Sequence, residues 1–351
     1  MTSDAGCDGE KRSNRQLAWL EFFLSALTIV VAGTLLSRYG DRIAEQTGLG
    51  GLWIGVVFMA AATSLPELLT AVSASWLDAP NLAVGDLMGA GMSNMLTLGV
   101  IDLLHRRKRV WQHAALEHAL IASLAMALTG LAGMGLLLRR DWTYGHVGLA
   151  TTSLALIYIL GMRLVYRQEA VKRQERELEK LVQGQEPAGT TGRGPDRGTW
   201  IGFAAAALGI VIAAPFLAAS AKAIAVETGI STTFVGTSLL AIATSLPEFV
   251  TAVAAVRLGA FDLAVGNLFG SNAFNMCALF AADVAYGQGP LLTVASPVHA
   301  VTALWVVILM NVGLMGILYR AEKRFLLIEP DSLLMILGYA LGMWVLFRIG
   351  G

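Results

Sequence analysis

Residues 57–95 of this chain read VFMAAATSLPELLTAVSASWLDAPNLAVGDLMGAGMSNM, and residues 238–276 read SLLAIATSLPEFVTAVAAVRLGAFDLAVGNLFGSNAFNM. The two segments align without a gap at an offset of 181 residues, and 21 of the 39 positions are identical. Similarity of this length indicates an internal duplication. Both copies are mostly apolar and contain a small set of oxygen-bearing side chains, so their place in the fold depends on the rest of the chain.

The composition is that of a membrane protein. The 351 residues are 56% hydrophobic and 14% charged, with a mean hydropathy of +0.64, whereas soluble proteins contain about 25% charged residues. The formal net charge is zero, so no basic surface for nucleic acid is indicated. Two distant cysteines, Cys7 and Cys277, form neither a disulfide framework nor a CxxC metal motif.

Hydropathy predicts ten membrane-spanning helices, because about 20 apolar residues cross a hydrocarbon core of about 30 Å. The predicted spans are residues 17–36, 51–75, 82–104, 114–138, 143–163, 199–219, 230–256, 262–285, 298–319 and 331–348. The first is an uncleaved helix, since the residues before it contain no apolar signal-peptide core. The predicted fold class is an all-α polytopic membrane protein.

A polar connection at 166–198 divides the chain into two sets of five spans. It begins with a charged helix-like run, residues 167–182, and ends in a linker rich in Gly and Pro. With ten spans, 18 of the 25 Lys and Arg residues lie on the side of this connection. The positive-inside rule therefore predicts that the connection is cytoplasmic and that both termini are outside.

The two copies have opposite orientations in this topology, because five crossings separate spans 2 and 3 from spans 7 and 8. Inverted repeats of this kind place a substrate site near the bilayer midplane where the copies meet. The predicted organisation is a polar extracellular N-terminus (1–16), a first five-helix repeat (17–166, with its motif at 55–95), a cytoplasmic loop (167–198), and a second five-helix repeat (199–351, with its motif at 236–276).

Each copy places oxygen-bearing groups on one face of a helix, where positions i, i+3, i+4 and i+7 meet. These positions are Ala60, Thr63, Ser64 and Glu67 in the first copy and Ala241, Thr244, Ser245 and Glu248 in the second. Pro66 and Pro247 have no N–H, so we expect the carbonyls near Ala62 and Ala243, and also those near Ala60 and Ala241, to lose their helical donors. Calcium and sodium prefer such oxygen ligands.

Glu67 and Glu248 lie near the middle of their predicted spans, where ionised carboxylates are costly and mark ion paths. A structural salt bridge would need a Lys or Arg at the same depth, but every basic residue falls in a loop or within about a turn of a span end. A protonated structural carboxyl is the other alternative. We predict that both glutamates bind a mobile cation or a proton.

Spans 3 and 8 contain the second half of each motif, and the copies differ there. Ser271 and Asn275 are spaced i, i+4, with Asn267 one turn earlier. In the first copy Asn94 matches Asn275, whereas the positions of Asn267, Ser271 and Asn272 are occupied by Asp86, Ala90 and Gly91. Asp86 and Ser93 are both candidates to replace the hydroxyl oxygen lost at Ala90. Asp86 is interpreted either as a ligand or proton acceptor or as a helix-start residue.

Two further acidic residues are also 181 positions apart. Asp102 and Asp283 close spans 3 and 8. We interpret both as helix-end or packing residues rather than as part of an ion path.

These motifs resemble the alpha repeats of the sodium/calcium exchanger family, within the cation/calcium antiporter superfamily. The resemblance rests on ATSLPE at Ala62–Glu67 and Ala243–Glu248 and on GNLFGSNAFN at Gly266–Asn275. It implies a central cluster of Glu67, Glu248, Asn94 and Asn275, with calcium held mainly by the two glutamates and by the backbone carbonyls of Thr63 and Thr244. It also implies flanking sodium positions that use the oxygens of Ala60, Ala241, Thr63, Thr244, Ser64, Ser245 and Ser271.

The chain departs from the family pattern at three positions. Ala90 removes the hydroxyl expected in the first copy. Asp86 adds a carboxyl where the family usually has asparagine, and Asn275 is aspartate in some relatives. The central loop also has no room for the large calcium-sensing domains of animal relatives.

The resemblance implies a secondary active antiporter rather than an enzyme. It exchanges sodium for calcium across a plasma or bacterial inner membrane by alternating access, with spans 1 and 6 as candidates for a sliding gate. No cofactor is expected, and the expected partners are calcium, sodium and lipid, with no nucleic acid and no obligate protein partner. The alternatives are a cation/proton antiporter using Glu67, Glu248 and Asp86, a passive channel, and an intramembrane aspartyl hydrolase.

Overall fold

A computed structural model of the chain describes residues 4–46, 59–104, 118–182, 196–319 and 330–350. Eight of the described helices are long and apolar enough to cross a membrane. They are α1 (Asp4–Gln46), α4 (Pro80–Leu104), α5 (His118–Leu138), α6 (Leu149–Val182), α7 (Arg197–Thr228), α11 (Phe261–Tyr286), α13 (Val298–Tyr319) and α14 (Pro330–Gly350), and a short helix, α12 (Leu291–Val294), lies between α11 and α13. They confirm an all-α polytopic membrane architecture.

A bent run of short helices forms a further crossing. It consists of α8 (Thr232–Val235), a π-helical turn (Gly236–Leu240), α9 (Ala241–Thr244) and α10 (Leu246–Arg257), and the two parts meet at 42°. Nine of the ten predicted spans are thereby accounted for. The remaining one, 51–75, is described only from residue 59, with helical residues 59–63 (α2) followed by α3 (Leu65–Trp76).

The structure corrects two predicted boundaries. The first helix begins at Asp4, inside the segment predicted as a polar N-terminus. The fifth span begins at Leu149 rather than at residue 143, because 143–148 form a two-stranded hairpin of β1 (Thr143–Tyr144) and β2 (Val147–Gly148) that turns at Gly145 with φ 67°. The charged run 167–182 continues α6 as a helix, as predicted, and residues 183–195 lie outside the described part.

Contacts between the repeats obey the 181-residue offset in both directions. The Thr151 hydroxyl of α6 donates to Asp283 of α11, and the equivalent Ser332 hydroxyl of α14 donates to Asp102 of α4. When residue a contacts b and the counterpart of a contacts the counterpart of b, the two copies are related by a two-fold axis. The fold therefore consists of two five-helix repeats in inverted orientations.

Glycines allow the two motifs to approach at the level of their backbones. A Cβ on Gly89 of α4 would lie 2.3 Å from the Thr237 carbonyl oxygen in the π-helical turn. One on Gly85 would lie 3.0 Å from the Thr237 nitrogen. Only glycine fits such contacts without moving a helix, so these residues fix the distance between the first copy and the second.

Helices α1 and α7 pack along each other. Gly202 of α7 lies against the Tyr39 ring, and Gly209 lies near Ala32 of α1. Gly33 of α1 faces Pro247, and Pro66 lies nearby. The outer faces of both helices expose large apolar side chains, as expected for surfaces in contact with lipid.

Candidate functional site

The two glutamate-bearing helices are interrupted at equivalent serines. Ser64 (φ −85°, ψ 8°) separates α2 from α3, and Ser245 (φ −86°, ψ 2°) separates α9 from α10. The prolines two residues later cause both breaks, because proline has no N–H for the preceding turn and its ring clashes with the carbonyl four residues earlier. Each glutamate thus lies in the first turn of a new helix, at the centre of the molecule.

Each serine bonds to the glutamate of the other copy. The Ser64 hydroxyl donates to Glu248 Oε1 at 3.2 Å, and the Ser245 hydroxyl donates to Glu67 Oε1 at 3.0 Å. Both glutamates are 0% exposed. The reciprocal bonds bring the two carboxylates into one site across the two-fold axis.

The second oxygen of each carboxylate has no hydrogen-bond partner among the described residues. These atoms, Glu67 Oε2 and Glu248 Oε2, are buried, and like charges on the two carboxylates repel each other. Within the described ranges, no Lys or Arg forms an ion pair with either group. Burying two like charges without a partner is unfavourable by itself, so the site is suited to a cation or to protons.

Two threonines extend this centre on opposite sides. The Thr63 hydroxyl lies 3.4 Å from both Asn267 Oδ1 and Ser271 Oγ, whereas the Thr244 hydroxyl donates to Asp86 Oδ1 at 2.9 Å. Asp86 is the 181-offset counterpart of Asn267. One side is therefore lined by neutral oxygens and the other by a carboxylate.

Asp86 does not act as a helix-start residue in this structure. Helix α4 begins at Pro80, more than a turn earlier, and Asp86 is 0% exposed. Its Oδ2 is a further buried oxygen that forms no hydrogen bond within the ranges that the structure describes. Ser93, the other candidate to replace the hydroxyl lost at Ala90, lies beside the Tyr339 hydroxyl of α14 instead.

The two central asparagines are fully buried but differ in their contacts. Asn94 Nδ2 donates to Asn272 Oδ1 at 2.9 Å, and Asn94 Oδ1 has no hydrogen-bond partner in the described part of the chain. Both amide atoms of Asn275 are likewise without a hydrogen bond. The carbonyl oxygens of these amides are chemically suited to complete the ligand set of a hard cation.

One expectation about the freed carbonyls is wrong. The Ala60 carbonyl accepts the Ser64 N–H at 2.9 Å, and the Ala241 carbonyl accepts the Ser245 N–H at 3.0 Å. A single residue in a bridge-like conformation at each break is enough to keep this bond. Ala62 and Ala243 do lose their i+4 donors, because those donors would be the nitrogens of Pro66 and Pro247.

The structure adds two residues to the predicted set. Asn267 lies at Thr63, and Asn272 lies at Asn94. The offset of 181 could have identified Asn267, because its counterpart Asp86 was already a candidate. Asn272 has glycine as its counterpart, so the duplication gave no signal for it.

Asp283 and Asp102 lie at helix ends, as interpreted from the sequence. Asp283 accepts the Gly148 N–H at 2.9 Å, the Leu291 N–H at 2.6 Å and the Thr151 hydroxyl. Asp102 accepts the Ser332 hydroxyl. The bonds from Gly148, Thr151 and Ser332 join one repeat to the other, the Leu291 bond lies within the second repeat, and none of them involves the two glutamates.

The candidate site contains few charges. In the ranges that the structure describes, no group of three or more His, Cys, Asp or Glu side chains gathers closely enough to form a metal cluster. The centre is built from two carboxylates with neutral amides and hydroxyls around them. Calcium and sodium bind to hydroxyl, amide and carbonyl oxygens as well as to carboxylates, so the absence of a denser acidic cluster is compatible with either ion.

The profile of one protein family matches nearly the whole chain. The family is described as sodium/calcium exchanger protein, and the match covers residues 17–167 and 198–348. Both five-helix repeats are included. The unmatched residues between them, 168–197, coincide with the polar connection, which begins within α6.

Individual relatives agree with this match. The inner membrane protein YrbG of Escherichia coli is 29% identical over 263 residues, which are 72% of this chain and 77% of the relative. The sodium/calcium exchanger MaX1 of Methanosarcina acetivorans is 25% identical over 289 residues, 74% of this chain and 80% of the relative. A solved structure of the sodium-calcium exchanger NCX_Mj, soaked with Na⁺ and Sr²⁺, superposes with a TM-score of 0.60 at 19% identity, covering 94% of this chain and 99% of that one.

Proposed function

The chain belongs to the sodium/calcium exchanger family, and we propose that it couples inward movement of sodium to extrusion of calcium by alternating access around one central site. It is a multi-pass membrane transporter of the class that exchanges calcium for other cations. The observation that carries the proposal is the reciprocal bonding of Ser64 to Glu248 and of Ser245 to Glu67, which leaves one buried oxygen of each glutamate without a hydrogen bond to any described residue.

In this proposal calcium occupies the centre. Glu67 and Glu248 supply the negative charge, Asn94 and Asn275 supply amide oxygens, and the carbonyls of Thr63 and Thr244 complete the set. The buried oxygens without hydrogen bonds support this assignment, because such atoms are rare in folded proteins and each requires an explanation. A divalent cation would compensate both carboxylates at once.

In the proposed sodium-bound state, sodium ions occupy the centre and the two flanks of the site. One flank uses the Thr63 and Ser271 hydroxyls beside Asn267, and the other uses Thr244 and Asp86. The remaining proposed sodium ligands are oxygens of Ala60, Ala241, Ser64 and Ser245. The Ala60 and Ala241 carbonyls already accept one backbone N–H each, but a carbonyl oxygen has a second lone pair for a cation.

Competition for the same oxygens accounts for exchange. Calcium and sodium cannot occupy the centre together, because the excess positive charge would be poorly screened in a buried site. An empty site is also unfavourable, since the two carboxylates then repel each other without compensation. Access to the site therefore changes from one side of the membrane to the other only when the site holds calcium or sodium.

Helices α1 and α7 form the proposed gate. A cavity of about 100 Å³ lies between α1 and α10 and is lined in part by Ser37, Asp41 and Thr251. The counterpart of Asp41 in α7 is Lys222, whose Nζ donates to the Leu77 carbonyl at the end of α3. Equivalent positions of the two proposed gate helices therefore carry opposite charges.

The positive-inside rule gives the proposed orientation of the protein in the membrane. We assign the Asp41 end and the 167–198 loop to the cytoplasm and both termini to the outside of a plasma or bacterial inner membrane. The domain organisation follows as two repeats, 17–166 and 199–351, joined by that loop. Modification of single introduced cysteines at residues 41 and 222 by an impermeant reagent would test the two sides.

Calcium uptake into proteoliposomes loaded with sodium tests the function. We expect uptake that requires an outward sodium gradient and that is abolished in Glu67→Gln and Glu248→Gln. Glu227→Gln, the same change near the end of α7, serves as the matched control. Sodium-independent uptake by wild-type protein, or near-normal exchange in both glutamine variants, would contradict the proposal.

Calcium/proton exchange is the second candidate, and Asp86 favours it. This third buried carboxylate has an oxygen without a hydrogen bond and occupies a position where its counterpart is a neutral amide. Uptake driven by a pH gradient alone and abolished by a protonophore would support proton exchange and would refute sodium coupling.

A further inference from the structure

The two central asparagines occupy equivalent positions in the duplicated motif but form different hydrogen bonds. Asn94 Nδ2 donates to Asn272 Oδ1 at 2.9 Å, whereas both amide atoms of Asn275 are without a partner in the described structure. The oxygen and nitrogen of a side-chain amide are on opposite sides of its carbon. Fixing the nitrogen of Asn94 therefore also fixes the direction of its oxygen.

The difference has a local cause in the duplicated sequence. Asn272 corresponds to Gly91 in the first copy, and glycine has no side chain that could orient Asn275. A Cβ at position 91 would lie 3.0 Å and 3.3 Å from the two methyl carbons of Val306. Helix α13 thus occupies the space in which the missing side chain would have to lie.

We propose that Asn272 is a positioning residue of the ion site: its amide oxygen holds the Asn94 nitrogen so that Asn94 Oδ1 is presented to the bound cation. This inference rests on the proposed function, in which Asn94 is a ligand. Asn272 contributes through Asn94 and does not contact the ion. Hydrogen bonds of this kind to a metal ligand typically contribute about 10- to 100-fold in metal affinity.

The proposal makes the two halves of the site unequal. Asn94 is oriented before the ion arrives, so binding costs it little conformational freedom. Asn275 has no orienting partner and must be ordered by the ion itself. We infer that Asn94 contributes more to calcium affinity than Asn275, although the two occupy equivalent positions.

The test uses substitutions of similar shape at position 272, with calcium KM measured in sodium-loaded proteoliposomes. Asn272→Leu removes the acceptor, and we expect calcium KM to rise about tenfold. Asn272→Asp keeps the acceptor, so its KM should stay at or below the wild-type value. In an Asn94→Ala background, Asn272→Leu should change KM by less than about twofold, because the group that it positions is gone.

Controls separate positioning from general damage to the fold. Thr129→Val removes another fully buried polar group, one that bonds to Ala125 in α5, and should leave calcium KM unchanged. If Asn272→Leu is not monodisperse after purification, Asn272→Ala has the same expected KM. The calcium-induced increase in unfolding temperature should decrease in the Leu and Ala variants and not in the Asp variant.

Three outcomes would overturn the proposal: a wild-type KM in the Leu variant, an equal increase in the Asp variant, or an undiminished effect of Leu when Asn94 is absent. Each of these can occur while the wild-type protein exchanges sodium for calcium, so the proposed function would stand. Failure of the proposed function is distinguished by the absence of sodium-driven calcium uptake in the wild type itself.

Discussion

Replacing Gly89 with alanine should disable the site by moving a helix rather than by removing a ligand. The added Cβ would lie 2.3 Å from the Thr237 carbonyl oxygen and 2.7 Å from the Ala241 Cβ. Ordinary contacts begin at 3.4 Å, so α4 must move away from the π-helical turn by about 1 Å. Overpacking of this size costs about 1–3 kcal/mol.

The displacement matters because the two sides of the contact contribute different parts of the site. Helix α4 contains Asp86 and Asn94, and the segment at Thr237 leads directly into Thr244 and Glu248. A displacement of about 1 Å can cost about 100-fold in activity when the groups of a site must act together. We therefore expect calcium exchange to fall at least tenfold while the protein still folds.

Gly130→Ala is the matched control, since no described residue outside the adjoining turns of α5 has an atom within 4 Å of a Cβ at that position. Alanine in a helix interior is favoured over glycine by about 1 kcal/mol, so this variant should have normal exchange and an equal or higher unfolding temperature. Exchange rates and unfolding temperatures would be measured on both purified variants. Gly89→Ala with wild-type exchange would refute the close helix contact as a determinant of the site.

Three further predictions concern single side chains. Asp86→Asn removes a charge from the Thr244 flank but keeps an oxygen. Sodium KM should therefore rise about tenfold while calcium KM changes by less than about threefold, as measured by varying each ion in turn. The reverse pattern would place Asp86 at the calcium centre. Ser64→Ala and Ser245→Ala each remove one hydrogen bond to a carboxylate, which is worth about 1.5–3 kcal/mol. Both variants should raise calcium KM to a similar extent. Strongly unequal calcium KM values in the two variants would contradict the reciprocal geometry. Asp283→Asn replaces one oxygen of a carboxylate that accepts three hydrogen bonds with an NH₂ group that cannot accept any. The unfolding temperature should therefore fall while calcium KM stays unchanged. An altered calcium KM would assign Asp283 to the ion path.

The architecture could be predicted from the sequence because the strongest patterns act over long segments. Ten apolar runs and one polar connection determine the number of crossings, and an ungapped repeat across an odd number of them requires inverted copies. Local geometry was harder to predict. The hairpin at 143–148 is too short for hydropathy to separate it from Leu149 onward, and the start of α1 at Asp4 lies among residues with no apolar pattern.

The candidate site was predictable wherever both copies keep the same residue. Helical spacing and the offset of 181 identified Glu67 and Glu248, but the crossed pairing with Ser245 and Ser64 depends on the two-fold axis and is not encoded in either helix alone. Where the copies differ, spacing gives no answer. Asn272 became visible only because the structure places it at Asn94.

Equilibrium binding of radiolabelled calcium to the purified protein tests the central assignment most directly, because it does not depend on transport. Wild-type protein should bind calcium in a single class of site, and sodium should displace it competitively. Glu67→Gln and Glu248→Gln should each abolish this binding, whereas Glu227→Gln should retain it. Wild-type affinity in both Glu67→Gln and Glu248→Gln would contradict the assignment of the ion to the two carboxylates.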